Sequence, residues 1–123
     1  MDMEESPLNN LTNLVSVERP ASSQEITEQR VFVDEVSWGE REGTSYILIR
    51  GNFPNPCCRL HEVTESVSGN EIQLSMTAWQ PAGTMCSQVL EPFSYLHPVP
   101  EEVNPEESLT VTINESNAFV IVK

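Results

Sequence analysis

Residues 71–79, EIQLSMTAW, put Ile72, Leu74, Met76 and Ala78 on one side of an extended chain and Gln73, Ser75 and Thr77 on the other. On a helix that two-residue period would scatter the apolar side chains around the whole circumference. The segment therefore reads as a strand with one buried and one wet face. A strand of this kind needs a second apolar layer to cover it. The rest of the chain is cut to supply one. RVFVDEVSW (30–38), TSYILIRG (44–51), LHEVTESV (60–67), VLEPFSYLHPV (89–99), SLTVTIN (108–114) and AFVIV (118–122) are short β-rich runs divided by turn signals such as GEREG, SGN and ESN. No run shows a convincing 3.6-residue period, and no internal repeat is visible. The pattern predicts an all-β fold, an immunoglobulin-like antiparallel β-sandwich of about seven strands. SGN predicts a hairpin between 60–67 and 71–79, and ESN one at the C-terminal end. The prolines in 89–99 mark an edge or a bulge.

The chain has 123 residues, one ordinary domain. Residues 1–29 are polar and carry five net negative charges, so they are expected to be an acidic flexible leader or linker, with 30–123 as the sandwich. Within that leader LTNLVSVE (11–18) is the piece able to add an edge strand. The longest apolar runs, YILI and FVIV, have four residues each, against the roughly 20 of a membrane helix. No basic, apolar, small-residue signal opens the chain, which leaves either a cytoplasmic protein or one whose leader has been removed.

Nineteen acidic residues face six basic ones, for a net charge of −13. Such a surface repels phosphate backbones and anionic lipid, so nucleic-acid partners are excluded and membrane contact is expected only through an N-terminal lipid anchor. Seventeen of the nineteen acids are glutamate, without the alternating aspartates and turn glycine of a calcium loop. Glu4-Glu5, Glu101-Glu102 and Glu106-Glu107 read as solvated faces.

The chemistry-bearing residues gather in NFPNPCCRLH (52–61) and QPAGTMCSQ (80–88). Cys57 or Cys58 could be a nucleophile beside His61 or His97, but the nearby glutamates raise a thiol pKa instead of lowering it. A metal site could draw on Cys57, Cys58, His61 and Cys86, with Met85 as a further soft ligand for zinc or copper(I). Adjacent cysteines, however, lack the two-to-four-residue spacing of a zinc knuckle. A disulfide asks least. If 60–67 pairs with 71–79, the start of one strand and the end of the other share an end of the sheet, which brings the adjacent cysteines close to Cys86. Three reduced, buried thiols remain the plain alternative. A disulfide would imply an oxidising compartment. Trp38 and Trp79 each close a strand and are expected to pack on the core or the disulfide; His61 and His97 are expected at surfaces or strand edges. NLT (10–12) and NES (114–116) match the glycosylation acceptor pattern, which also arises by chance.

The segments GNFPNPCCRLHEV, GNEIQLSMTAWQPAGTMCSQVLEPF and SLTVTIN together resemble a recurring bacterial and archaeal secreted or lipoprotein-anchored β-sandwich domain. Its pattern runs G-x-(L/F/Y)-P-x-x-C-x-x-L, then G-N, then P-x-x-x-x-C-x-Q and P-F. Gly51, Pro54, Cys57, Leu60, Gly69, Asn70, Pro81, Cys86, Gln88, Pro92 and Phe93 fall in place. The resemblance covers Gly51 to Asn114. It implies a Cys57–Cys86 disulfide with Cys58 as the odd thiol, and Leu109 stands where an aromatic is common. It implies an extracytoplasmic domain without known activity.

These readings converge on a non-enzymatic, monomeric interaction or accessory domain that needs no cofactor and binds a protein partner. Phe53, Asn55, Pro56, Gln80, Thr84 and Met85 are its candidate binding-loop residues. A sharper form is a protease inhibitor using NFPNPCC or QPAGTMC. A metal-binding protein is the alternative.

Overall fold

A computed structural model describes residues 13–103, 107–115 and 117–121. Its described residues form eight strands and no helix: β1 (Ile26–Arg30), β2 (Phe32–Arg41), β3 (Thr44–Phe53), β4 (Arg59–Ser68), β5 (Glu71–Pro81), β6 (Glu91–Pro98), β7 (Leu109–Ile113) and β8 (Asn117–Ile121). They make two sheets. One runs β2-β3-β6, and the other is built around β5, with β4 on one edge and both β1 and β7 on the other. The alternation of EIQLSMTAW appears as expected, with Ile72, Leu74, Met76 and Ala78 buried and Gln73 and Ser75 exposed. Ile47 and Ile49 of β3 and Leu109, Val111 and Ile113 of β7 share the interior with them, together with Phe53, Leu60 and Phe93.

The turns follow their residues. Gly69 and Asn70 join β4 to β5, with Gly69 at φ +59 as a two-residue hairpin with a leading glycine requires. β2 runs three residues beyond its expected end, because the turn is Glu42-Gly43 alone, both at positive φ. β6 begins at Glu91, leaving Val89 and Leu90, expected in the strand, outside it.

Three features differ from the sequence expectation. The β5–β7 pair is parallel, Glu71 to Leu74 against Thr110 to Ile113, so the sandwich is not wholly antiparallel. The strand β1 lies in the expected leader and fills the edge of β5 from Thr77 to Pro81. Upstream of it, residues 13–18 form a strap. Ser94 N–H donates to Asn13 O, Val15 N–H donates to Ser94 O, Glu18 N–H donates to Leu60 O, and Trp79 Nε1 donates to Glu18 O at 2.6 Å. The strap thus joins β6 of one sheet to β4 of the other, because both edges present unpaired peptide groups that need partners. Residues 1–12, the first sequon among them, lie outside the described residues.

One asparagine closes a break in the sheet. β7 stops at Ile113, opposite Leu74, and β1 begins pairing with β5 at Thr77, which leaves Ser75 and Met76 between them. Asn114, at φ +55, turns its side chain there: Met76 N–H donates to Oδ1 at 2.8 Å and Nδ2 donates to Met76 O at 3.1 Å. A carboxamide has the same donor and acceptor as a peptide group, so it continues the ladder. That nitrogen is engaged, which takes the second sequon asparagine out of use as a glycan acceptor in the folded chain. Asn114→Ala is expected to lower stability by about 2 kcal/mol, and Asn114→Asp, which accepts but cannot donate, by less. Urea denaturation reads both; an alanine variant as stable as the parent would show that the bridge contributes nothing.

Candidate functional site

The turn after β3 is built by Asn55. Its Oδ1 accepts the Cys57 N–H at 2.9 Å, an Asx turn fixed further by Pro54 and Pro56. That turn presents Cys57 to the loop beyond β5, where the structure joins it to Cys86 with a Cα–Cα distance of 6.0 Å. Beneath the bond lies a buried amide cluster. Gln80 Oε1 accepts from Asn55 Nδ2 and from Gln29 Nε2, both at 2.8 Å, while Gln80 Nε2 faces Cys86 Sγ at 3.9 Å. Asn55 and Gln80 are only 8% and 9% exposed. Buried amides are tolerated because they satisfy one another.

Cys58 is free and buried. Its Sγ lies 3.5 Å from Asn55 Oδ1 and 3.8 Å from Gln80 Oε1, both acceptors. Burial pushes the thiol pKa up, against weaker opposing effects of the Asn55 hydrogen bond and the Arg59 charge. A protonated, buried thiol is a poor nucleophile, so the catalytic-cysteine reading finds no support in its surroundings. The alternative metal set is not assembled either. Cys57 and Cys86 spend their sulfurs on each other, and His61 Nδ1 lies 3.5 Å from Glu28 Oε2. Among the described residues no group of three or more His, Cys, Asp or Glu side chains could hold a metal ion.

The six residues expected as a binding surface divide into two groups. Phe53 is buried and stacks on Phe93 at 4.6 Å; with Asn55 and Gln80 it supports the loops from below and offers no surface. Pro56, Thr84 and Met85 are exposed. Met85 is 96% exposed, and Val89 and Leu90, expected in a strand from their sequence, are 60% and 55% exposed. Among the described residues, no backbone–backbone hydrogen bond holds Gly83–Leu90. The disulfide, inserted at Cys86, is what fastens this apolar loop to the sandwich. A cleft of ≈ 310 Å³ between Pro56, Trp79, Pro81 and Thr84 adjoins it.

The match to the ORF11 beta-sandwich domain spans residues 47–121, from β3 to β8. The chain belongs to that family. The uncharacterized 10.2 kDa protein in the HgiCIIM 5′ region of Herpetosiphon aurantiacus is 33% identical over 69 residues, 56% of this chain and 72% of that protein. The 10.2 kDa protein in the HgiBIM 5′ region of the same organism is also 33% identical over 69 residues, covering 83% of its own length. No solved structure matches. In this ORF11 beta-sandwich domain both disulfide cysteines and the exposed loop fall inside the matched span, whereas the strap, β1 and β2 precede it.

Sequence reasoning missed a second polar cluster. His97, on β6 and 8% exposed, meets Glu65 of β4 through Nε2 at 2.6 Å and the Tyr95 hydroxyl through Nδ1 at 3.2 Å. Burial, and then the Glu65 charge, push the Tyr95 pKa up. The phenol can donate to Nδ1 in the tautomer that carries its proton on Nε2, the nitrogen facing the carboxylate. Glu65 shares the inward face of β4 with Val63 and Val67, and that break in the apolar pattern was the available signal.

Proposed function

We propose that this ORF11 beta-sandwich domain is a non-enzymatic interaction domain, working outside the reducing cytoplasm, that binds a protein partner through Ala82–Leu90. One observation carries the reading: Met85, Val89 and Leu90 stand in solvent on a segment that a hydrogen bond from Ala82 N–H to Glu25 O and the Cys57–Cys86 bond tie to the sandwich. Leaving large apolar side chains in water is unfavourable unless something covers them. Fastening the loop beforehand removes part of the ordering entropy that binding would otherwise cost. The disulfide supports an oxidising location, since thiols in a reducing cytoplasm stay free.

A photo-cross-linking residue at position 85, in cells that produce the protein, tests the reading. A discrete adduct is expected from position 85, none from position 75 on the exposed face of β5, and loss of the adduct on Leu90→Asp. No adduct at 85, or equal labelling from both positions, would sink it. Alkylation without reductant, read by intact mass, tests the location: one modified cysteine, Cys58, is expected after denaturation, whereas three would place the protein in a reducing compartment.

A further inference from the structure

We infer that the partner is a serine protease that prefers large apolar side chains, and that Met85 enters its primary specificity pocket as the central contact of an inhibitory loop. This rests on reading Ala82–Leu90 as an interaction segment.

A protease cleft pairs with the main chain of its ligand and reads one side chain in a pocket. A loop suited to it offers unpaired peptide groups, a protruding side chain of the right chemistry, and firm anchors on both flanks. Gly83, at φ +75, turns the chain out of β5. Thr84 to Ser87 then run without regular secondary structure, and all but half-buried Cys86 are exposed. Met85 projects almost wholly into solvent. It is unbranched and apolar, which suits an apolar slot. Residues 82–90 contain no lysine or arginine, the side chains that an acidic pocket would demand.

The position of the disulfide separates an inhibitor from a substrate. In the protease, the serine Oγ adds to the Met85 carbonyl carbon, the catalytic histidine passes the serine proton to the Cys86 nitrogen, and the Met85–Cys86 C–N bond breaks. In an ordinary peptide the new amine then diffuses away and water completes hydrolysis. Here the amine stays on Cys86, bonded to Cys57, while the acyl side stays on β5, which is paired on both edges. The amine remains beside the acyl-enzyme at high effective concentration and re-forms the bond, returning the serine proton. Gln80, with Asn55 behind it, holds the Cys86 sulfur from beneath.

The oxidised protein is titrated against chymotrypsin, subtilisin and trypsin with chromogenic substrates. Stoichiometric inhibition of chymotrypsin or subtilisin is expected, with trypsin unaffected. Met85→Lys should weaken that inhibition roughly 100-fold, because an ammonium group is buried in an apolar slot, and should create inhibition of trypsin. Reduction should turn the loop into a substrate cut after Met85. The exposed position keeps folding out of the comparison, and an unchanged melting temperature checks this. No inhibition of any of the three, steady turnover of the oxidised loop, or inhibition indifferent to Met85→Lys would overturn the inference. If the adduct from position 85 persists under any of those results, the interaction reading stands and the partner is not a protease.

Discussion

Gly51→Ala is expected to lower stability by roughly 3 kcal/mol or more, a large share of what a domain of this size has. Gly51 sits in β3 opposite Val33 of β2 and Phe93 of β6, beside a bulge between Val33 and Glu35. A methyl group there would lie 2.0 Å from the Phe32 carbonyl oxygen and 3.0 Å from the Val33 Cα. Those are backbone atoms. They cannot rotate aside as a flexible side chain would, so β2 has to lift off β3 and give up pairing near the bulge. Gly43→Ala provides the contrast. It too lacks a side chain, at φ +81, but nothing stands within 4 Å of its added Cβ. The effect there is the left-handed backbone alone, about 1 kcal/mol. Urea midpoints for the two variants separate contact from conformation. A Gly51 variant within 1 kcal/mol of the parent would mean that the close approach of β2 to β3 is not required.

Removing the disulfide should have an effect of similar size by a different route. Cys57 and Cys86 are separated by 29 residues. Opening a loop of that length returns entropy to the unfolded chain worth about 3.5 kcal/mol, a large share of the 5–15 kcal/mol typical of a domain. Cys57→Ser with Cys86→Ser should therefore lower the melting temperature by about 10–20 °C. Reductant should reproduce the shift in the parent and do nothing to the double variant. Cys58→Ala, which leaves the bond intact, should change little by comparison. Equal melting of parent and double variant would show that the unfolded state gains no freedom when the bond is absent.

The strands were legible because each carries its own period. Ile72, Leu74, Met76 and Ala78 announce a buried face without reference to any other part of the chain. β1 carries no such mark. ITEQR becomes a strand because Thr77–Pro81 offers an unpaired edge some fifty residues away. The parallel alignment of β5 with β7 is invisible for the same reason, since register between distant strands is written in neither of them. At the site, the reactive residue types stood out while their surroundings did not. Asn55 and Gln80 look like surface residues by type. They are buried because each answers the other's hydrogen bonds across 25 residues of sequence. Val89 and Leu90 mislead in the opposite sense: apolar and adjacent to a strand, they stop short of it because β6 begins at Glu91.

The strap and β1 have a consequence for the birth of the molecule. A ribosome releases a chain from its N-terminus, yet the backbone groups of Asn13 and Val15 bond to Ser94, Glu18 bonds to Leu60, and Ile26–Arg30 pair with Thr77–Pro81. Residues 13–18 and 26–30 thus find these partners only after the chain carrying Leu60, Thr77–Pro81 and Ser94 has been made. The strap and β1 are therefore secured late, because their long-range pairings close only once the strands that receive them are in place.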